Sequence, residues 1–167
     1  MIVYQQAVII YDLTDEFCKK YLDRFRDKRT IEQMTQAARS GKQNIVEGSL
    51  EKSLKMNIKL TGVARASLGE LLEDYEDFLR TRKLAIWDKN DPRVWEMRNA
   101  YKSNTSNLTY RSYTTNPLSY ANLMLTLIST ENYLLDRMIK SLEEKFIHEG
   151  GYSENLTKRR IDYKRSN

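Results

Sequence analysis

Residues able to do covalent or metal chemistry are scarce in this sequence: Cys18 is its one cysteine and His148 its one histidine. Cys18 lies in Phe17-Cys18-Lys19-Lys20, where neighbouring cations would lower a thiol pKa. No histidine is near it in sequence to serve as a base, and a small helix residue is the simpler reading. A carboxylate-bridged metal pair inside a helical bundle needs inward glutamates and Glu-x-x-His pairs on two helices. One histidine cannot supply them. Glu70, Glu73, Asp74 and Asp77 form an acidic stripe at helical spacing. It could take a divalent cation or a basic partner, or be a solvated face relieved by Arg80. The sequence has no glycine-rich phosphate loop and no paired-cysteine zinc spacing. It predicts a protein that is not an enzyme, with no catalytic residue, cofactor or metal.

Cations are better placed to act. Arg39 and Lys42 are followed by Lys52, Lys55, Lys59 and Arg65, with 52, 55 and 59 on one helical face. Lys158, Arg159, Arg160, Lys164 and Arg165 crowd the C-terminal stretch beside Tyr152 and Tyr163. Phosphate contacts tolerate loose geometry, so such stripes give salt-sensitive, sequence-tolerant affinity for RNA or DNA, and exposed aromatics can stack on bases. The net charge of +5 and pI near 9.2 agree with a polyanionic partner. A solubilising surface is the alternative.

The elements that must position these residues read as helices. Apolar residues from 2 to 26 recur at helical spacing through Ile2, Ile9, Leu13 and Phe17. Thr30 to Gln33 reads as a capping box opening a second helix to about Glu47, where Gly48 would supply a left-handed cap. Ser53 starts a third helix, the longest, to about Leu84. Its Gly62 and Gly69, seven apart, each cost about 1 kcal/mol in a helix interior, which predicts close approach of a neighbour. Asp91-Pro92 and Asn116-Pro117 are cap-plus-proline starts, the second after a Ser/Thr/Asn-rich connection from 103 to 116. Leu118, Ala121, Leu125, Ile128, Asn132, Leu135, Ile139, Leu142 and Phe146 then form a heptad seam. The seam's width demands more than one helical neighbour. Asn132 within it is either a register-setting group or a satisfied core amide. The expectation is an all-α bundle domain over residues 1–146 and a basic suffix over 147–167, ordered or not.

Six glycines and two prolines in 167 residues are punctuation between long helices. A lone cysteine suits a reducing compartment. Met1 to Gln6 lacks the basic start of a signal peptide, and no apolar run reaches the roughly 18 residues of a membrane span. A cytoplasmic protein with no membrane contact is expected. Asn104-Thr105-Ser106, Asn107-Leu108-Thr109 and Asn155-Leu156-Thr157 match the glycosylation pattern by coincidence.

Gln36-Ala37-Ala38-Arg39-Ser40-Gly41-Lys42-Gln43-Asn44-Ile45-Val46-Glu47-Gly48-Ser49 resembles the signature of the four-helix-bundle family first described as 23S rRNA intervening-sequence proteins. Members carry Arg-Ala-Ala and then Asn-Ile-Ala-Glu-Gly-Ser at the end of their second helix. Val63-Ala64-Arg65-Ala66-Ser67-Leu68-Gly69-Glu70-Leu71 is similar to the family's helix-3 stretch. Lys42-Gln43 departs from the family's small residue and proline, where relatives kink, and residues 93 to 116 are a longer insertion. Gly150 to Leu156 with the following arginines resembles a C-terminal suffix of some members. The resemblance implies an up-and-down antiparallel four-helix bundle assembling as a ring, typically a homopentamer. It also implies kinship with the accessory variability proteins of diversity-generating retroelements, which bind a reverse transcriptase and nucleic acid. Asn44, Glu47 and Gly48 fall in the most characteristic segment, where a structural role capping or bridging helices is expected.

Overall fold

The computed structural model describes residues 2–103 and 107–166, the side chains of residues 101–109 excepted. The fold is all-helical, with no strand among the described residues. In chain order come α1 (Ile2–Tyr21), α2 (Lys28–Leu50), α3 (Leu54–Thr81), α4 (Pro92–Ser103), a 3-10 helix (Asn107–Tyr113), α5 (Pro117–Glu149) and α6 (Tyr152–Ser166). None is long and apolar enough to cross a membrane, among the described residues. The Asn104-Thr105-Ser106 pattern and the side chain of Asn107 lie outside what is described.

Local chemistry sets most boundaries. Ser53 caps α3 by accepting from Met56 N at 3.5 Å. Asn116 caps α5 by accepting from Ser119 N at 2.8 Å, with Pro117 in the first turn. Asp91 accepts from Arg93 N at 2.9 Å at the start of α4. These starts fall where side-chain oxygens satisfy amides that a helix cannot.

Elsewhere the boundaries differ from expectation. α1 ends at Tyr21 rather than near 26, because Asp23 accepts from both Phe25 N and Arg26 N and folds residues 22–27 into a turn. α2 consequently starts at Lys28, ahead of Thr30, which lies inside the first turn instead of capping it. At its other end α2 continues through Gly48 to Leu50; Gly48 is buried in the helix and has no left-handed backbone. α3 ends at Thr81, with Leu84 N bonded to Leu79 O at 2.9 Å, and α5 with 33 residues is the longest helix.

The close helix approach expected at Gly62 and Gly69 occurs at two other glycines. A methyl group at Gly62 would meet nothing within 4 Å, and at Gly69 only its own helix's Arg65. At Gly41 it would lie 2.8 Å from Leu68, and at Gly48 3.1 Å from Asn57 and 3.3 Å from Leu60. The glycines that let α2 and α3 touch are those of α2. The Ser40 and Ser67 hydroxyls, 2.8 Å apart, bond across the same contact.

α1, α2, α3 and α5 share one apolar core, which Met97 of α4 and Tyr110 of the 3-10 helix complete. The 93–116 stretch therefore adds to the core. Phe17 is an aromatic hub of it, with ring centroids 4.8 to 5.3 Å from Phe78, Tyr75, Tyr21 and Tyr120. Tyr120 donates to Leu13 O at 3.0 Å and Lys20 to Thr114 O at 2.9 Å, so α1 and α5 run in opposite directions. α1 begins eleven residues before Leu13, so at equal rise per residue its partnership with α5 ends about eleven residues after Tyr120. The seam agrees with this: it is buried from Ala121 through Leu135, then half-exposed at Ile139, Leu142 and Phe146. Buried Asn132 leaves its carbonyl oxygen without a hydrogen-bond partner among the described residues.

At the end of α5, Gly150 takes a left-handed φ of 75° and stops the helix. α6 follows at once. Glu154 accepts from Gly151 N at 2.8 Å, the reciprocal half of a capping box, and Asn155 donates to Glu149 O at 3.1 Å. The suffix is thus a helix. None of its residues is buried.

Candidate nucleic-acid interface

The structure divides the cations singled out in the sequence into three groups. Arg39 and Lys42 lie midway along α2, with roughly 16 Å of helix between Arg39 and Leu50. Lys42 holds its ammonium 3.9 Å over the Tyr11 ring, tying α2 to α1. Arg65 donates to Asp136 of α5 at 3.1 Å, in a half-exposed pair. These two have intramolecular partners.

The second group is Lys52, Lys55 and Lys59, all exposed, at the turn between α2 and α3 and along the start of α3. Third come Lys158, Arg159, Arg160, Lys164 and Arg165, all exposed on α6. No carboxylate lies within ion-pair distance of any of these eight among the described residues. The structure brings the two groups together. Lys52 and Arg159 border one open cleft of about 460 Å³, between α6 on one side and the α2–α3 turn and last turns of α5 on the other.

Leu54, Leu142, Tyr152 and Leu156 give that cleft apolar walls. Lys145, Glu149 and Glu51 stand at its border, Lys145 lying 3.8 Å from Glu149. Sequence reasoning missed Leu142 and Lys145 as members of a site. The signal was present: the α5 seam runs on past the point where α1 can cover it.

The signature residues act within the fold. Asn44 donates to Ser40 O at 2.9 Å and to Ser40 Oγ at 3.2 Å, steadying the hydroxyl that meets Ser67. These bonds lie within α2 and not at a turn. Glu47 is exposed and accepts from Gln43 at 3.3 Å, within α2; among the described residues it has no bond to another helix. Gly48 serves the α2–α3 approach.

The acidic stripe lines a different groove, between α2 and α3, with Glu70, Glu73, Asp74 and Asp77 facing Glu32 and Arg29. Arg80 relieves Asp77 at 2.7 Å. Half-buried Asp74 has no such partner among the described residues: burial, then repulsion from Asp77, Glu70 and Glu73, holds its carboxyl above the usual range. Among the described residues no group of three or more His, Cys, Asp or Glu side chains is arranged to hold a metal.

Cys18 is buried, its thiol 4.0 Å from the Met34 sulfur. Burial pushes its pKa up to about 12, opposite to the lowering its lysine neighbours suggested. Lys19 and Lys20 are exposed and leave the thiol in an apolar setting.

Compared with known protein families, curated proteins and solved structures, the chain matches none of them.

Proposed function

We propose that the protein binds RNA or DNA through phosphate contacts, as a non-enzymatic, self-associating helical-bundle protein of the cytoplasm that serves a nucleic-acid enzyme such as a reverse transcriptase. In this reading α1, α2, α3 and α5 form an up-and-down antiparallel four-helix bundle of the intervening-sequence type. Copies of it assemble into a ring, a homopentamer by resemblance. The observation that carries the reading is the basic end of the molecule. Eight exposed cations, without carboxylate partners among the described residues, lie on the α2–α3 turn, the start of α3 and α6, and Lys52 and Arg159 from the two sides border one cleft; no residue of α6 is buried to account for its order. A 15-residue helix with so little burial is marginal in water; a polyanion that neutralises its cations would stabilise it.

A second reading is a protein–protein adaptor or structural homo-oligomer without nucleic acid. It is favoured by apolar side chains exposed at the same end, Leu50 and Ile147 each at 77%.

Retention of mixed RNA and DNA fragments on immobilised protein over a salt gradient separates the two readings. The proposal predicts retention at low salt that is lost as salt rises. It also predicts weaker retention when Lys158, Arg159 and Arg160 become Ala, with a further loss on reversing Arg39 and Lys42. Absence of retention at low salt, or indifference to all these changes, favours the adaptor. A native mass equal to one chain would remove the ring from both.

A further inference from the structure

A duplex keeps its base faces stacked inside and offers phosphates outside, so its contact with this molecule would stop at the exposed cations. The cleft behind them has a different chemistry. Its two walls come from different parts of the fold: Leu54 from the start of α3 and Leu142 from the late part of α5, Tyr152 and Leu156 from α6. Tyr152 is 44% exposed and Leu156 47%, so both keep a large accessible apolar face beside the cleft. At about 460 Å³ the space is within the roughly 300–1,000 Å³ range of small-ligand clefts. Three cations, Lys52, Lys145 and Arg159, border it against two carboxylates, Glu51 and Glu149, leaving it net +1. Glu149 is already answered by Lys145. Polar groups for a base edge are also at hand. Asn155 spends its amide nitrogen on Glu149 O, and its carbonyl oxygen has no partner among the described residues.

Apolar walls with cations at the rim suit a flat apolar ring that carries a negative group. An unpaired nucleotide is such a group, and stacking of this kind tolerates any base. Resting on the nucleic-acid reading above, we infer that this cleft holds unpaired nucleotides of a bound single strand. The base lies against Leu54, Leu142, Tyr152 and Leu156, and its phosphate against Lys52 and Arg159. Tyr163, 71% exposed and eleven residues beyond Tyr152 on nearly the same face of α6, extends the stacking surface by three turns. The strand then continues along Lys55 and Lys59.

The test compares fluorescence anisotropy of the full-length protein with a short mixed-sequence strand, as DNA and as RNA, and with the same strand annealed to its complement. Single strands should bind about tenfold more tightly than duplex. Tyr152→Ala combined with Leu156→Ala should remove most of that preference and leave duplex affinity and its salt dependence unchanged. Lys55→Ala with Lys59→Ala, outside the cleft, should weaken both forms alike. No α6 residue is buried, so the first pair should melt at the wild-type temperature. Duplex bound as tightly as single strand, or a Tyr152/Leu156 variant that weakens both equally, overturns the inference and leaves the proposed function standing. Failure to bind either form overturns both.

Discussion

Where α1 turns into α2, the Phe17 ring is enclosed by four aromatic neighbours, and Tyr120 and Lys20 pin α1 to α5 and to the segment before it. Where α5 runs out towards α6, its apolar seam is less covered, and Ile139, Leu142 and Phe146 are half-exposed. Charge differs along the same axis. α3 carries Lys55, Lys59 and Arg65 in its first half and Glu70, Glu73, Asp74, Glu76 and Asp77 in its second. Arg80 in the last turn suits the helix dipole, whereas Lys55 in the first turn opposes it. One end is built for stability, and the other gives up packing and keeps its cations free.

The sharpest way to break this contrast is to delete a ring at each end. Phe17→Ala should cost about 3–5 kcal/mol in denaturant unfolding, and Phe146→Ala only about 1–2 kcal/mol. Equal losses would mean that the basic end is as tightly packed as the other.

Glycines test the α2–α3 contact. Gly62→Ala, with open space around it, should stabilise by about 1 kcal/mol through helix propensity. Gly41→Ala would press on buried Leu68 and should destabilise by about 1 kcal/mol despite the same propensity gain. Thermal melts of the two variants moving in the same direction would contradict the observed approach.

Much of this was legible in the sequence, for reasons that differ from residue to residue. Ser53, Asp91 and Asn116 mark helix starts because a capping oxygen acts on amides two or three residues away. Gly48 was misread because glycine signals either a helix end or a close neighbour. Only the position of Asn57 and Leu60 across from it decides for the second. The eleven candidate cations were all visible, yet sequence could not tell that Lys42 is held by Tyr11 and Arg65 by Asp136. The cleft was hidden because its walls come from residues 51–57, 142–150 and 152–159, and no local pattern says they meet.

Smaller effects concern the acidic groove and the buried thiol. Asp74 has its pKa raised in the fold, so its ionised form weakens the folded state; that cost disappears as pH falls through the raised value towards the ordinary 3.8. Asp74→Asn should therefore raise the melting temperature at neutral pH, by an amount that shrinks on acidification. A pH-independent gain would show that packing, not charge, is responsible. Cys18, pushed up to about 12 inside the core, should resist a thiol-reactive dye in native buffer and label rapidly in denaturant. Fast native labelling would mean that the Phe17 end opens readily.

The central claim is that the loosely packed end is a phosphate-binding surface, and the salt dependence of oligonucleotide affinity tests it most directly. For the intact protein, log affinity should fall steeply with log salt. Changing Lys158, Arg159, Arg160, Lys164 and Arg165 to Gln should flatten that slope by about 3–4 while leaving the melting temperature unchanged, because α6 buries nothing. A slope that does not change, or no binding at low salt, would contradict it.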